Sequence, residues 1–269
     1  MKTARVNGTE IAYRIEAGAL PGRPWLVFSH SLAADHSMWW PQVDVFAPRF
    51  NVLRFDTRGH GKSAVSPGPY TLELLADDLL QLLAAERIER CHFVGLSMGG
   101  MIGQVAALRD PRPFASLVFA DTTSRMPPEV HPMWEQRIAA ALAGGMAAVA
   151  PGTLERWFTA PFRERRPDDV ARVDRLIRAT DVNGYAACSR AIMRIDVTDR
   201  LSQVRCPVLV VVGDKDPSTP PAMSDAIARA IPGARLVVIP DAAHFPNVEQ
   251  AEPFNAALQG FFAEIVPKG

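Results

Sequence analysis

The stretch CHFVGLSMGG, residues 91–100, decides the fold of this chain. A run of β-forming residues leads to Ser97, which lies between Gly95 and Gly99 in the pattern G-x-S-x-G, and a helical run, MGGMIGQVAAL, follows. Such a serine lies in a sharp strand-to-helix turn, and the small residues two positions away on either side avoid a clash. The turn lifts the hydroxyl above the sheet at a helix N-terminus. The context therefore favours a nucleophile over an ordinary turn serine.

Outward from this stretch, short apolar runs alternate with helical patterns. Continuous apolar runs are typical of strands buried on both faces of a parallel sheet. Apolar runs occupy residues 25–29, 52–55, 91–95, 117–120, 207–212 and 236–239, and helical patterns occupy 70–86, 98–107, 222–230 and 253–265. Strands that alternate with helices indicate an α/β fold. Residues 4–6 and 11–15, around Asn7-Gly8, predict an antiparallel hairpin at the sheet edge.

The alternation stops between residues 124 and 200, where helical periodicity and arginine dominate. One crossover rarely needs so many residues, so we interpret this stretch as a helical insertion over the sheet rather than ordinary crossover helices. We call residues 124–200 the cap segment. Residues 1–123 and 201–269 then form one core, because the strand pattern resumes after the insertion.

Composition excludes several classes of function. Lys plus Arg equals Asp plus Glu at 29 each, so the chain lacks the basic surface of a nucleic-acid binder and has no charge that attracts anionic membranes. Neither a secretory signal nor a long apolar span is visible. Three scattered cysteines argue against disulfides and cysteine metal sites. We therefore expect a cytoplasmic protein, and the sequence indicates no oligomeric state.

A serine nucleophile needs a base and an orienting acid, which in this type of fold follow it in the order Ser, acid, His. His131 and His244 are the histidines after Ser97, and His244 directly follows the last strand run, whereas His131 lies in the cap segment. His244 is therefore the predicted base. The sequence GDKDP offers two carboxylates after a strand, Asp214 and Asp216, and the residues alone leave both open.

The negative charge that develops on a substrate oxygen needs two backbone donors. The N–H of Met98 and the N–H of Leu32, in the loop after the strand 25–29, are predicted to supply them. In that loop His30 is predicted to make a structural hydrogen bond. The stretch DTRGHGKS lacks the spacing of a phosphate loop, and we expect Asp56 and Arg58 to pair in a structural turn. No pattern predicts a metal site or a cofactor.

The ordered motifs HSL, DTRGHGKS, GLSMGG, GDKD and DAAH resemble those of the α/β-hydrolases over almost the whole chain. The stretches FSHSLAADHSMWWPQV, MWEQRIAAALAGGMAAV, ERWFTAPF and NGYAACSRAI further resemble the 3-oxoadipate enol-lactonases. The resemblance implies a mostly parallel eight-stranded sheet with helices on both faces, and it selects Asp216 over Asp214 as the acid. Family members often have Asn at the position of His30.

This resemblance implies a serine hydrolase that opens a small carboxylate-bearing lactone through an acyl-enzyme on Ser97. Trp134 and Arg137, three residues apart in the cap segment, are the candidates to bind the substrate carboxylate. The alternatives are a carboxylesterase, thioesterase or perhydrolase that acts on other small esters, and a ligand receptor without activity. Each requires a small-molecule partner and no cofactor.

Overall fold

The computed structural model describes residues 1–16 and 19–266. Within them eight strands form one sheet, in the order β1-β2-β4-β3-β5-β6-β7-β8. The pairs β1–β2 and β2–β4 are antiparallel, and the other neighbours are parallel. The strands are β1 (Lys2–Val6), β2 (Thr9–Ile15), β3 (Trp25–Ser29), β4 (Asn51–Phe55), β5 (Cys91–Leu96), β6 (Phe114–Ala120), β7 (Val208–Gly213) and β8 (Arg235–Ile239). The predicted α/β-hydrolase architecture is confirmed.

Helices occupy most of the connections between the strands. In the described residues these helices are α1 (Trp40–Phe46), α2 (Leu72–Ala85), α3 (Met98–Arg109), α4 (His131–Gly144), α5 (Ala150–Trp157), α6 (Ala160–Arg165), α7 (Pro167–Ala179), α8 (Val182–Ile192), α9 (Pro221–Ala230), α10 (Pro246–Glu249) and α11 (Ala251–Ile265). A helix able to cross a membrane would need a longer apolar stretch than any of these provides.

The central strands are rich in apolar residues because both faces of the sheet are covered there. Every residue of β4, β5 and β7 is buried, which matches the continuous apolar runs of the sequence. The pleat of a parallel strand points alternate side chains to opposite faces, so a strand covered on both faces has no position left for an exposed polar residue. The core therefore lies on both sides of these strands.

The hairpin at the sheet edge has the turn that its sequence predicts. Asn7 and Gly8 have φ values of 47° and 73°, as a two-residue turn with two left-handed residues requires. The prediction that Asp56 pairs with Arg58 is wrong. Arg58 reaches instead to α2, where its Nε and Nη2 donate to the two carboxylate oxygens of Asp78 at 2.8 and 2.6 Å.

The carboxylate of Asp56 serves the turn that follows β4. Its Oδ1 accepts from the N–H of His36 and its Oδ2 accepts from the N–H of Lys62, each at 2.8 Å. Arg58 lies three residues beyond the strand end and faces a different element. Asp56 and Arg58 have opposite charges and lie two positions apart in the sequence, yet they make separate contacts.

The cap segment contributes helices α4 to α8 between β6 and β7. Its two ends meet, because Ser124 accepts a hydrogen bond from the N–H of Val197 at 2.8 Å and Arg125 bridges Asp196. The chain thus leaves the sheet and returns to it at one place, as an insertion must. The division at residues 123/124 and 200/201 stays a prediction.

Two glycines bring the cap segment against the core. A Cβ added to Gly184, in α8, would overlap the carbonyl oxygen of Gly59, in the loop after β4. A Cβ added to Gly59 would in turn lie 2.7 Å from the Cα of Gly184. These backbones touch directly, so only glycine fits at position 184 without a shift of α8.

We expect Gly184→Ala to lower the free energy of unfolding by about 1–3 kcal/mol, because the added methyl group overpacks a backbone contact. Urea denaturation measures this loss. The matched control is Gly260→Ala in α11, where a Cβ would meet nothing within 4 Å. The control should gain up to about 1 kcal/mol from helix propensity alone. Equal changes in both variants would contradict the role of this contact.

Candidate active site

Ser97 occupies a strained turn between β5 and α3. Its φ of 56° and ψ of −115° lie in a region that residues with a side chain rarely adopt. The turn is possible because the neighbouring positions lack side chains: a Cβ on Gly95 would overlap the carbonyl oxygen of Gly99, and one on Gly99 would overlap that of Ser29. The Ser97 N–H donates to the carbonyl of Ala120 at 2.8 Å. The turn thus holds Ser97 at the end of the sheet.

His244 follows β8 and is almost fully buried. Its Nδ1 lies 2.7 Å from Oδ2 of Asp216, in the loop after β7. Asp216 also accepts from the N–H of Ser218 at 2.7 Å and from the hydroxyl of Thr219 at 2.6 Å. Burial alone would raise the pKa of the Asp216 carboxyl, but the charge and hydrogen bonds of these neighbours outweigh it and the pKa lies below its usual value. Asp216 is therefore an ionised acceptor for the imidazole.

The other carboxylate of GDKD lies elsewhere. Asp214 is exposed, and its Oδ1 accepts a weak hydrogen bond from the N–H of Ala242 at 3.3 Å. It braces the turn of the histidine loop and does not touch the imidazole. Asp216 and not Asp214 thus pairs with His244, and Ser97, Asp216 and His244 follow β5, β7 and β8 in the order that the sequence predicts.

The loop after β3 is held by two neutral histidines. His30 accepts from the N–H of Thr57 at 2.8 Å through Nε2, and its Nδ1 lies 2.7 Å from the carbonyl of Ser31. His60 accepts from the N–H of Ala33 at 3.1 Å. Burial lowers the pKa of both imidazoles, that of His60 to about 3, so both rings are neutral: each Nε2 accepts, and Nδ1–H of His30 donates to the Ser31 carbonyl. The predicted structural role of His30 matches these contacts.

These histidines position the loop that holds Leu32, one of the two residues predicted to stabilise an oxyanion. Leu32 lines the same cavity as Ser97. Met98 begins α3, and the first N–H groups of a helix have no partner within the helix. Leu32 lies in the loop after β3 and Met98 at the N-terminus of α3, and the role of their N–H groups as oxyanion donors stays a prediction.

Ser97 and His244 open into a cavity of about 280 Å³ beneath the cap segment. Apolar side chains from both the core and the cap segment form most of its wall. The apolar lining residues include Leu32, Met101, Met126, Val130, Met133, Trp134, Trp157, Ile192 and Met223. The size and lining suit a small organic ligand.

Trp134 and Arg137 both line this cavity from α4. The guanidinium of Arg137 lies 5.5 Å from the centre of the Trp134 ring, so the two side chains share a helix face as their spacing predicts. A second cation, Arg156, lines the same cavity from α5. Burial, and next the charge of Arg137, lower the pKa of Arg156 to about 10. Two guanidinium groups thus face one small cavity.

Neither guanidinium has a carboxylate within 4.0 Å among residues 1–16 and 19–266. Arg137 donates to Sδ of Met133 and Arg156 donates to the hydroxyl of Thr153. Two half-buried cations without an anionic partner favour an anionic ligand, because burial weakens their hydration. Sequence reasoning missed Arg156, since nothing in the sequence separates it from the other arginines of the cap segment.

Glu249, also unpredicted, ties the cap segment to the histidine loop. Its Oε1 accepts from the N–H of Thr159 at 2.9 Å, and its Oε2 accepts from the N–H of Ala243 at 2.8 Å. Trp157 stacks on Phe245 with ring centres 4.0 Å apart. The residues on both sides of His244 are thus anchored to the segment between α5 and α6.

Within the part of the chain that the structure describes, two groups of side chains could offer atoms to a metal. The potential ligand atoms of Asp35, His36 and Asp56 lie within 4.8 Å of one another, and so do those of Asp121, Asp216 and His244. Hydrogen bonds already account for the Asp56 and Asp216 carboxylates. The expectation that the protein uses no metal stays a prediction.

The comparisons with known proteins agree with this geometry. Residues 24–251 match the α/β-hydrolase fold family. A 3-oxoadipate enol-lactonase of Acinetobacter baylyi is 35% identical over 88% of each chain. The crystal structure of the enol-lactonase from Burkholderia xenovorans has a TM-score of 0.93 at 40% identity, covering 97% of this chain and all of the other. A Caulobacter protein that carries a provisional name as carbamate hydrolase is 28% identical over 98% of each chain.

The matched residues contain the serine turn, the two loops that carry Asp216 and His244, and the loop after β3. The chain therefore belongs to the α/β-hydrolase fold family, and enol-lactonases are among its relatives.

Proposed function

We propose that the protein is a serine hydrolase that opens a small carboxylate-bearing lactone, with 3-oxoadipate enol-lactone as the favoured substrate. One observation carries this proposal: a single cavity is lined by Ser97, by His244, whose Nδ1 is paired with Asp216, and by two arginines that have no carboxylate partner among residues 1–16 and 19–266. The relatives named enol-lactonases support it.

In the first step His244 takes the proton of the Ser97 hydroxyl while the oxygen attacks the lactone carbonyl. Asp216 holds the imidazole with its Nδ1–H toward the carboxylate and stabilises the imidazolium that forms. Asp216 keeps its charge throughout and takes no proton. The negative charge of the tetrahedral intermediate rests on the N–H groups of Leu32 and Met98.

Collapse of the intermediate breaks the ring C–O bond and expels an enolate. The proton that His244 took from Ser97 passes to the departing enolate, which ends as the ketone, so the imidazole is neutral again and the ring does not re-form easily. Water then loses a proton to His244, attacks the acyl-enzyme and releases the acid with Ser97 restored. For 3-oxoadipate enol-lactone the product is 3-oxoadipate. His244 is thus the base for both proton transfers, from Ser97 and from the water.

The two arginines explain why a substrate with a carboxylate is favoured. A guanidinium matches the planar geometry of a carboxylate, and the pair lies in an otherwise largely apolar cavity. Burial lowers the pKa of Arg137 as it lowers that of Arg156, so each guanidinium gains from an anion nearby. The carboxylate would thus orient the lactone carbonyl toward Ser97.

The alternative is a hydrolase of other small esters, and the apolar cavity wall and the relative provisionally named a carbamate hydrolase favour it. Both functions use the same three side chains. They differ in whether the arginines bind part of the substrate.

A panel of substrates tests the proposal. We expect kcat/KM for 3-oxoadipate enol-lactone to exceed that for neutral p-nitrophenyl esters by at least about a hundredfold, since two cations stabilise one carboxylate. Ser97→Ala should lower kcat on every substrate by at least about a thousandfold. A preference for the neutral esters would favour the alternative. Unchanged turnover in Ser97→Ala would exclude the acyl-enzyme.

The two aspartates of GDKD form a matched pair of variants. Asp216→Asn should lower kcat about ten-thousandfold, because the amide cannot stabilise the imidazolium and favours the wrong tautomer. Asp214→Asn removes a carboxylate two residues away and should change kcat less than about twofold. Steady-state assays of the two purified variants measure kcat for each. Equal losses would mean that the loop, and not the carboxylate at position 216, matters.

Arg137→Ala should raise KM for the enol-lactone about ten- to a hundredfold with little change in kcat, because a charge-assisted contact to a remote part of the substrate is lost. Arg156→Ala should act in the same direction. Neutral esters should show less than a twofold change in either variant. The control is Arg178→Ala, a cap-segment arginine whose partner is Asp174 on the exposed face of α7. Equal losses on both substrate types would make the arginines structural.

A further inference from the structure

We propose that Asp121 is a positioning residue for the active site: its carboxyl group stays protonated and donates a hydrogen bond to Asp216. The inference rests on the proposed function in one respect: it takes His244, the partner of Asp216, to be the catalytic base. It assigns a task to a buried acid that the reaction steps do not use.

Asp121 directly follows β6, and its place is set by its neighbour β7. The backbone N–H of Asp121 donates to the carbonyl of Val211 at 2.9 Å, and its Oδ1 accepts from the N–H of Gly213 at 2.9 Å. Its φ is 42°, a left-handed value that an aspartate tolerates better than most residues. These two contacts direct the side chain to the loop that carries Asp216.

The second oxygen of Asp121 decides its protonation state. Asp121 is fully buried, and Oδ2 has no donor within hydrogen-bond reach in the described part of the chain. One carboxyl oxygen each of Asp121 and Asp216 and one ring nitrogen of His244 lie within 4.8 Å of one another. Two ionised carboxylates cannot bond to each other, since both only accept. Oδ2 gains a partner when it carries a proton and donates to Asp216.

The surroundings determine which of the two acids holds this proton. Asp216 faces the imidazole of His244 and accepts from Ser218 and Thr219, which favours its ionised form. Asp121 lies beside Asp216, and the charge of Glu249 also disfavours its ionised form. Burial first, and then the charge of Asp216, raise the pKa of Asp121 well above its ordinary value. The proton therefore belongs to Asp121, and the pair carries one negative charge.

A neutral acid at this place benefits the site in two ways. Its O–H adds a donor that favours the ionised form of Asp216 and keeps that carboxylate in position. It also adds no second negative charge near His244, so the imidazole is not held in its protonated form, in which it cannot act as a base.

Asn is the conservative replacement, because its amide keeps a donor for Asp216 and an acceptor for the N–H of Gly213. Asp121→Ala removes both. We expect Asp121→Ala to lower kcat about tenfold with KM within about twofold, since Asp216 loses a fixed contact. Asp121→Asn should restore kcat to within about threefold of the wild type.

The pH profile of kcat/KM separates the neutral from the ionised form of Asp121. If Asp121 is neutral, the acid limb of the kcat/KM profile of Asp121→Asn lies within about 0.3 pH units of the acid limb of the wild-type profile. Removal of a negative charge so close to His244 would instead move that limb to lower pH by about one unit or more. Such a move, or wild-type kcat in Asp121→Ala, would overturn the proposal.

Infrared difference spectroscopy tests the proton directly and needs no substrate. The wild-type spectrum at neutral pH minus that of Asp121→Asn should contain the C=O band of a protonated carboxylic acid. The same band is expected when both spectra are taken in the Ser97→Ala background. Its absence would overturn the proposal even if the chain proves to be a hydrolase. Its presence would support the proton on the pair even if no panel substrate turns over.

Discussion

The strained turn at Ser97 is the constraint on which the rest of the site depends. A non-glycine residue at a φ of 56° and a ψ of −115° costs on the order of 1–3 kcal/mol. The surrounding fold maintains it, because β5 is buried at every residue and α3 packs against both β5 and α2. Close backbone approaches at Gly95 and Gly99 leave no room for another arrangement. A serine hydroxyl is thereby presented at the end of the sheet.

The parallel sheet brings the other side chains to the same place. The carboxyl ends of neighbouring parallel strands meet at one edge, so the loops after β3, β5, β6, β7 and β8 converge there. Leu32, Ser97, Asp121, Asp216 and His244 follow these strands in turn. Residues more than two hundred positions apart thus form one site without a dedicated local motif. The cap segment closes the site from above, and Glu249 ties it to the loop of His244.

Burial sets the charge of each group at this edge. His30 and His60 are neutral acceptors because burial penalises the charged imidazole. Asp216 stays ionised because donors surround it, whereas Asp121, equally buried, has one backbone donor. Arg137 and Arg156 keep their positive charge without a carboxylate partner in the described chain, at the cost of a lowered pKa. Identical side chains therefore serve different tasks according to the hydrogen bonds each receives.

Patterns in the amino-acid sequence predicted most of the strands, the serine turn and the order serine, acid, histidine, because buried strands need continuous apolar runs and the turn needs glycines at two positions. Helix boundaries followed within a few residues, as for the pattern at 70–86, where the side chain of Thr71 caps a helix that begins at Leu72. The residues alone left Asp214 and Asp216 open and the family resemblance favoured Asp216, which the structure places against His244. Only the tertiary structure showed that Arg58 pairs with Asp78, that Arg156 lines the cavity and that Glu249 joins the cap segment to the histidine loop. These contacts join side chains from separate elements, and their distance and burial exist only once the sheet and the cap segment have packed together.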